Sequence, residues 1–311
     1  MTAYLFRRLV YMIPVLFLIT LFIFALVRLV PGDPASSMLG DRATPERVER
    51  LNKSLKLDRP YYVQYVAFMG NLLQGDLGDS IRKREPVRDI LLQRVQPTLF
   101  LSVYAMFLSV LITVPLATIA ALKRGRMADQ IIRVYLVISL GMPVYWVGMM
   151  LLQFFAVRYR IFPVAGWGEG FFGHVESLFL PALALALGIS SLMTRSLRNA
   201  ILETLSADYV RTARAKGLAG RQIFIWHVLR NSALSTITIL GLNFAFLMGG
   251  AVITESIFAI PGLGQLIVRA IFDRDYPIIQ GVTLAIGILV LMITLITDLV
   301  YAALDPRVSF E

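Results

Sequence analysis

Few residues in this sequence could carry out chemistry, and their spacing excludes most kinds of site. The chain has two histidines, His174 and His227, and no cysteine, which excludes thiolate catalysis, disulfides and cysteine-type zinc sites. Ser190 follows a glycine by two positions but lacks the second glycine of a nucleophile elbow. No Gly-x4-Gly-Lys-Ser/Thr run is present, so the chain has no phosphate-binding loop of its own. We therefore expect no catalytic residue, no metal ligand and no bound cofactor.

The most patterned polar segment runs from residue 195 to residue 231. Within it, Asp208–Lys216 predicts a short helix with an acid near its N-terminus and a lysine at its C-terminus, both of which suit the helix dipole. Gly217 then supplies a break that tolerates a positive φ. A second short helix is predicted from Arg221 to Leu229, with Ile223, Trp226 and Val228 as its apolar contacts. From the residues alone, this basic segment is either a solvated loop or a docking element for another protein.

The elements that must position this segment are apolar stretches. The chain of 311 residues is 57% hydrophobic and 16% charged, which is too apolar for one water-soluble core. A helix needs about 20 mostly apolar residues to cross about 30 Å of hydrocarbon. The stretches that meet or approach this length are Leu9–Val30, Thr98–Leu122, Val134–Val157, Leu178–Thr194, Ser232–Thr254 and Ile278–Thr297. The last is expected to continue to Leu304, and the sequence therefore predicts an all-α membrane protein with six transmembrane helices.

The basic residues of the short loops predict the orientation. If the N-terminus is cytoplasmic, the inside segments carry 14 Lys and Arg and the short outside segments carry 4. The inside segments are 1–8, 123–133, 195–231 and 305–311, and the outside segments are 158–177 and 255–277. This bias predicts that both termini are cytoplasmic. It also accounts for the net charge of +10 without nucleic acid, and it places the two histidines on opposite sides of the membrane.

The segment 31–97 is predicted to be folded on the outer membrane face. Thr44-Pro45-Glu46 has the residues of a helix start, and an amphipathic pattern follows it and recurs from Pro86 to Val95. The first apolar stretch could instead be a signal peptide, because Arg7 and Arg8 precede it, but no small-residue cleavage site follows. The predicted organisation is 1–30 for the N-terminus and first span, 31–97 for an extracytoplasmic helical segment, 98–304 for a five-helix core, and 305–311 for a cytoplasmic tail.

Small residues recur at every fourth position in the fourth and fifth spans. They are Ala182, Ala186 and Ser190 in one span, and Gly241, Ala245 and Gly249 in the other. Small residues at this spacing let helix backbones approach closely in lipid. We expect these two spans to form a tightly packed pair that flanks the polar segment.

The polar segment resembles a known family. The run Asp208–Leu218 is similar to the coupling-loop signature of the peptide/nickel branch of ABC importer permeases, and His227–Asn231 continues the similarity in register. Arg211-Thr212-Ala213 stands where the wider family has Glu-Ala-Ala, a departure that is typical of the peptide branch. Further stretches resemble the same branch. They are Pro31–Pro34, Gly75–Gly78 with Ser80, Thr254–Phe258, Pro261–Gly264, Arg274–Pro277 and Asp305–Arg307.

The resemblance implies a type I ABC importer permease fold in the bacterial inner membrane. It implies a homologous second permease subunit, two ABC ATPase subunits that bind ATP and magnesium, an extracytoplasmic solute-binding protein and membrane lipid as partners. It also implies that the chain is not an enzyme and that its solutes are di- or oligopeptides or related small molecules. Nickel chelates and glutathione are carried by relatives and remain alternatives.

The resemblance also assigns roles to residues. The ATPase-coupling residues are Asp208, Tyr209, Val210, Arg211, Ala213, Arg214, Lys216 and Gly217. We expect the side chains of Tyr209, Val210 and Ala213 to face the ATPase, and the basic ones to pair with acids on it. The outer gate or receptor contact is assigned to Glu255, Pro261, Gly262 and Gly264.

Two further assignments follow from residue type and depth. Glu255 is expected either to sense the solute or to pair with Arg269 or Arg274. The residues expected to line the pore, as polar groups at membrane depth, are Asn243, Gln153 and Gln280.

Two other classes of protein remain as alternatives. A self-contained channel or secondary carrier would show ionisable residues at the membrane midplane or discontinuous helices in matched halves, and neither is recognisable in the sequence. An intramembrane enzyme would need a serine–histidine pair or metal ligands at membrane depth. His174 and His227 both lie outside the apolar stretches.

Overall fold

The computed structural model describes residues 2–29, 36, 43–54 and 59–304, and their regular secondary structure is helical. In this part of the chain the only β-type pairing is one isolated bridge between Asp79 and Pro86. The motifs Pro31–Pro34 and Asp305–Arg307 lie outside the described residues.

The helices follow one another along the chain with short connections. They are α1 (Thr2–Leu29), α2 (Pro45–Ser54), α3 (Tyr61–Leu73), α4 (Val87–Leu122), α5 (Met127–Gly141), α6 (Val144–Leu151), α7 (Gly170–Ser206), α8 (Asp208–Ala215), α9 (Arg230–Ile257), α10 (Leu263–Phe272) and α11 (Tyr276–Leu304). Two π-helical stretches, Leu152–Arg158 and Ile223–Leu229, continue α6 and precede α9 respectively. The predicted extension of the last span to Leu304 is confirmed.

The chain divides into two compact units. The first comprises Leu99–Ile260 and the chain from Ile293 onward, and the second comprises Thr2–Thr98 and Pro261–Met292. The first therefore contains the polar segment 195–231, and the second contains α1 to α3 and α10.

The described helices include four that are long and apolar enough to cross a membrane, or up to five when a bent pair is included. The four lie within α1, α4, α7 and α11, and the bent pair is α5 with α6 and its π-helical continuation. Helix α9 contributes a shorter apolar stretch, Leu247–Ile257. In the segment 31–97, the predicted helix start at Thr44 is confirmed, since the Arg47 backbone N–H donates to Thr44 Oγ1 at 3.4 Å. The segment Pro86–Val95 is not a separate surface helix, because α4 runs unbroken from Val87 to Leu122.

The third apolar stretch is not one continuous helix. Helices α5 and α6 meet at an angle of 103°. Met142 stands before a proline and adopts an extended conformation, with φ −89° and ψ 122°. The ring of Pro143 disfavours the helical region for the residue before it, which explains why the helix breaks here. This is a discontinuous helix that the sequence analysis did not find.

Helix α7 is the most enclosed of the apolar helices. In its most apolar window, 67% of residues are buried within the chain, compared with 17% for α1. Several of its polar groups are satisfied within the chain, as lipid requires, although the buried Thr194 hydroxyl has no hydrogen-bond partner among the described residues. The Leu187 carbonyl accepts hydroxyl hydrogen bonds from Ser139 at 2.9 Å, Ser190 at 3.0 Å and Ser191 at 3.3 Å.

Helices α7 and α9 pack closely against each other, as predicted, but different small residues make the contact. These two helices make the most extensive contact in the fold. A Cβ added to Gly250 would lie 2.9 Å from Leu185 Cδ2, so Gly250 is the point of close approach to α7. Gly249 is exposed and a Cβ there would meet nothing within 4 Å, so its predicted packing role is wrong. Gly241 packs against α11 instead, because a Cβ there would lie 2.8 Å from Thr297 Cβ.

Gly241→Ala and Gly249→Ala form a matched pair of tests for this packing. We expect Gly241→Ala to destabilise the protein by about 1–3 kcal/mol, because the new methyl group overlaps Thr297. Gly249→Ala should be neutral or stabilising by up to about 1 kcal/mol, because alanine favours a helix and the space is open. Thermal unfolding in detergent measures both. Equal midpoints for the two variants would contradict the assignment.

Candidate functional site

The short helix predicted in the polar segment exists as α8. Ala207 separates it from α7 with φ −67° and ψ 146°, and the Ala207 carbonyl accepts the N–H groups of Val210 at 3.1 Å and Arg211 at 3.3 Å. Asp208 lies in the first turn, where a negative charge suits the helix dipole. The helix therefore begins at the predicted residue.

Gly217 ends α8 in the manner of a Schellman motif. Its φ is +77°, and its N–H donates to the Arg214 carbonyl at 2.9 Å. The Leu218 N–H donates to the Ala213 carbonyl at 3.4 Å, which completes the pair of bonds that defines the motif. The Leu218 side chain packs against the same apolar cluster as Ala213. The predicted break at Gly217 is confirmed.

One face of α8 is buried against its own chain. Val210 and Ala213 are 0% and 7% exposed and belong to one apolar cluster of the first unit. The other buried members are Ala117, Ala121, Leu197, Ile201, Ile223 and Val228. The prediction that Val210 and Ala213 face the ATPase is therefore wrong. A helix of eight residues is held in place by burying its apolar stripe, so these two side chains anchor α8 to α4, to α7 and to the π-helical stretch that precedes α9.

The other face of α8 is exposed and basic. Arg211, Arg214 and Lys216 are exposed, and Tyr209 is 45% exposed. The Tyr209 hydroxyl accepts a hydrogen bond of 2.9 Å from Asn231 Nδ2, which links α8 to the first turn of α9. Asp208 is exposed and lies 3.6 Å from Arg211, a pair too exposed to contribute much stability. This face can pair with an acidic surface of another protein.

The second predicted helix of the segment differs from the expectation. One turn at Gly220–Gln222 leads through the π-helical stretch Ile223–Leu229 into α9, with helical backbone angles at Arg230. The segment therefore ends in a long helix, and not in a separate short one. Ile223 and Val228 are buried as predicted, whereas Trp226 is 63% exposed.

A buried ion pair joins the 123–133 loop to α7, and the sequence analysis missed it. Asp129 is 1% exposed, and Arg198 donates to both of its oxygens, through Nε to Oδ1 and through Nη2 to Oδ2, each at 2.9 Å. The Gly125 N–H also donates to Oδ2 at 2.9 Å. Arg133 approaches the same oxygen at 3.6 Å but is 52% exposed. The bidentate geometry fixes the start of α5 on α7, one turn before the cluster residue Ile201.

In the second unit, two motifs that lie far apart in sequence meet. Ser80 Oγ donates to Asp275 Oδ2 at 2.5 Å, and the Arg82 N–H donates to the same oxygen at 3.2 Å. Asp275 is 2% exposed. The motifs Gly75–Gly78 with Ser80 and Arg274–Pro277 are thus parts of one structure. No signal in a single sequence pairs them.

The residues assigned to the outer gate lie at the end of α9 and the start of α10. Pro261, Gly262 and Gly264 belong to the second unit, where the Leu263 N–H donates to Thr98 Oγ1 at 2.8 Å. Helix α10 was not predicted, although its apolar residues recur with helical spacing. Glu255 is 0% exposed in the first unit. Its pairing with Arg269 or Arg274 stays a prediction.

The residues assigned to the pore also stay predictions. Asn243 is 7% exposed, and its Nδ2 donates to the Ile239 carbonyl of its own helix at 2.7 Å. Gln153 is exposed in the first unit, and Gln280 is half-buried in the second. Within the described residues, no cluster of three or more His, Asp or Glu side chains could hold a metal.

Comparison with known proteins covers the whole chain. Residues 113–310 match the family described as the binding-protein-dependent transport system inner membrane component, and residues 1–102 match the N-terminal part of that membrane component. The probable peptide ABC transporter permease protein y4tP of Sinorhizobium fredii is 39% identical over 313 residues, with all of both chains covered.

Two further relatives and one solved structure agree with this match. The dipeptide transport system permease protein DppB and the glutathione transport system permease protein GsiC of Escherichia coli (strain K12) are 36% and 35% identical, each with all of both chains covered. A chain of the MetNI methionine ABC transporter in inward-facing conformations aligns with a TM-score of 0.58 and 19% identity, over 70% of this chain and 96% of that one. The type I ABC importer permease fold is therefore confirmed.

Variants of the buried ion pair test its role in holding α5 on α7. Arg198→Gln should destabilise the protein by about 3–5 kcal/mol, because it leaves the Asp129 carboxylate buried without its counter-charge. The double variant Asp129→Asn with Arg198→Gln should recover part of this loss. Arg133→Gln is the control and should cost less than about 1 kcal/mol, because this arginine is half exposed. Thermal unfolding would refute the assignment if Arg133→Gln were as damaging as Arg198→Gln.

Proposed function

Because this chain belongs to the family of binding-protein-dependent transport system inner membrane components, we propose that it is the permease through which an ATP-driven importer moves short peptides. Members of this family are permease subunits of the inner membrane and not enzymes, and they work with ATPase subunits. ATP hydrolysis therefore belongs to partner subunits. On this proposal, ATP and magnesium are bound by those partners and no cofactor by this chain.

The relatives named for peptides support a peptide as the solute. Full-length identities of 35–39% join this chain to permeases named for peptides, dipeptides and glutathione. These solutes share amide bonds and at least one free carboxylate and amine. A permease for glutathione or a nickel chelate is the alternative within the same family.

We infer six spans with both termini in the cytoplasm. Helices α1, α4, α7, α9 and α11 supply five of them, and the bent pair α5–α6 supplies the sixth. The excess of basic residues, 14 against 4 in the short loops, favours this orientation. It puts α8 on the cytoplasmic side, where an ATPase subunit can reach it.

The proposal that α8 couples the permease to the ATPase rests on one observation: α8 has one buried face and one exposed face. Val210 and Ala213 fix α8 to a cluster that also contains Leu197 of α7 and Ile223 and Val228 of the segment leading into α9. A force applied to the exposed basic face is therefore passed to two long helices through close-packed side chains. Such rigid elements transmit switching motions as bodies. We propose that Tyr209, Arg211, Arg214 and Lys216 contact the ATPase and that Val210, Ala213 and Gly217 hold α8 in shape.

The remaining partners follow from the same proposal. A homologous second permease would complete the translocation path, and an extracytoplasmic solute-binding protein would deliver the peptide. Glu255, Pro261, Gly262 and Gly264 are proposed for the outer gate or receptor contact, and Asn243, Gln153 and Gln280 for the pore.

Gly217→Pro tests the coupling role of α8. Proline fixes φ near about −65° and has no N–H, so it can adopt neither the φ of +77° nor the bond to Arg214. We expect membrane insertion to be retained, whereas ATP-driven uptake falls at least tenfold and the ATPase no longer co-purifies. Uptake in vesicles and pull-down of the ATPase measure the two effects.

Gly220→Ala is the matched control for this experiment. Gly220 lies three residues further on, has no positive φ, and a Cβ there would meet nothing within 4 Å. It should therefore retain both uptake and ATPase binding. Wild-type uptake by Gly217→Pro would refute the coupling role of α8.

The peptide assignment is tested with the complete importer in proteoliposomes. ATP-dependent accumulation of L-alanyl-L-alanine should exceed that of free L-alanine or of a nickel chelate at least tenfold. Accumulation of glutathione at the same rate as the dipeptide would favour the glutathione alternative. Failure to accumulate any peptide would overturn the proposed substrate class and leave the family assignment intact.

A further inference from the structure

A cavity of about 160 Å3 lies within the second unit. The turn after Ser80, the first turns of α4, helix α10 and the start of α11 enclose it. Its apolar lining comes from Leu266, Ala270 and Ile278, which belong to the packed core of that unit. An engineered cavity of about 150 Å3 is large enough to bind benzene. The cavity therefore has room for a small molecule, and not for a folded segment.

The polar lining of this cavity is mostly cationic. Arg82, Lys83, Arg94 and Arg269 line it, together with two acids, Asp273 and Asp275. Arg82 lies 3.6 Å from Asp273, and both are about half exposed or more. Among the described residues of the second unit, no side-chain ion pair engages Lys83, Arg94 or Arg269. Unpaired cations gathered around a partly enclosed space attract a carboxylate, and arginine can bind it through two parallel bonds.

One buried acceptor in the lining has no donor. Asp275 Oδ2 accepts from Ser80 Oγ and from the Arg82 N–H, but Oδ1 is buried without a hydrogen-bond partner among the described residues. A buried unsatisfied acceptor costs about 1–3 kcal/mol, and more for a charged group. Such a group calls for a donor, and a charged donor such as an ammonium group bonds a carboxylate more strongly than a neutral donor does.

We propose that this cavity binds one small zwitterionic solute of the short-peptide class, with Arg94 and Arg269 toward its carboxylate and Asp275 toward its ammonium group. The proposal rests on the peptide import proposed above. In the orientation proposed there, the loops of the second unit face the side on which the solute arrives. The cavity would hold the solute on the permease itself, and none of the residues proposed for the pore lines it.

The experiment uses the full-length permease in lipid nanodiscs without the solute-binding protein. Ligand-observed NMR and calorimetry follow L-alanyl-L-alanine, its C-terminal amide and its N-acetyl derivative. We expect the dipeptide to bind, and each blocked derivative to bind at least tenfold more weakly because one charged end is removed.

Two sets of variants locate the binding. Arg94→Gln with Arg269→Gln should weaken the dipeptide at least tenfold. Arg88→Gln is the control, because this arginine is exposed on α4 and does not line the cavity, and its replacement removes one positive charge from the same unit. Asp275→Asn should remove the preference for the free ammonium group. Thermal unfolding confirms that each variant is folded, and the arginine variants test the site even if Asp275→Asn does not fold.

Each outcome decides the proposal. No binding in the absence of the solute-binding protein would overturn it, and so would equal affinity in the arginine double variant and in Arg88→Gln. If the cationic lining instead receives an acidic side chain of the solute-binding protein, the double variant will lose receptor binding but the free dipeptide will never bind. Uptake by the complete importer is measured separately. Uptake without binding at the cavity would refute the cavity site alone, whereas absence of peptide uptake would refute the peptide import.

Discussion

A polar group that leaves water in a membrane protein must find its partner within the chain, and this constraint accounts for most of the fold. It makes the described chain helical, because a helix satisfies its own backbone. It also explains why the Leu187 carbonyl gathers hydroxyl groups from α5 and α7, and why Asp129 is held by both nitrogens of the Arg198 fork. Among the described residues, the buried side-chain oxygens without a partner are those of Thr194, Thr236 and Asp275. Of these only Asp275 Oδ1 belongs to a carboxylate, and it is the atom for which a ligand is proposed above.

The same constraint makes the helices of the first unit rigid enough to transmit motion. Helix α7 runs unbroken from Gly170 to Ser206 and is deeply enclosed, so it behaves as one rigid body. At its cytoplasmic end in the proposed orientation, two contacts are made close together: the ion pair to the start of α5 and the apolar cluster under α8. Motion imposed on α8 would therefore reach both the bent pair α5–α6 and the segment leading into α9.

The sequence predicted the local features well and the long-range ones poorly. Thr44 and Gly217 were recognised because a helix cap depends on a few neighbouring residues. The pairs Asp129–Arg198 and Ser80–Asp275 join residues that are far apart, and a single sequence does not encode which residues meet. The break at Met142 could have been found, because the proline after it is a local signal. The error at Val210 and Ala213 came from treating an apolar stripe as a partner surface, although a short helix first needs that stripe to bind its own chain.

The Schellman closure at Gly217 has a consequence for how such permeases can diverge. Because α8 is shaped by backbone hydrogen bonds and fixed by Val210 and Ala213, its outward side chains contribute almost nothing to folding. Mutation can therefore rewrite Arg211, Arg214 and Lys216 without passing through an unfolded intermediate. With α8 as the proposed ATPase contact, a lineage could exchange one ATPase for another in small steps, and charge alone could keep paralogous importers in one cell from sharing ATPases.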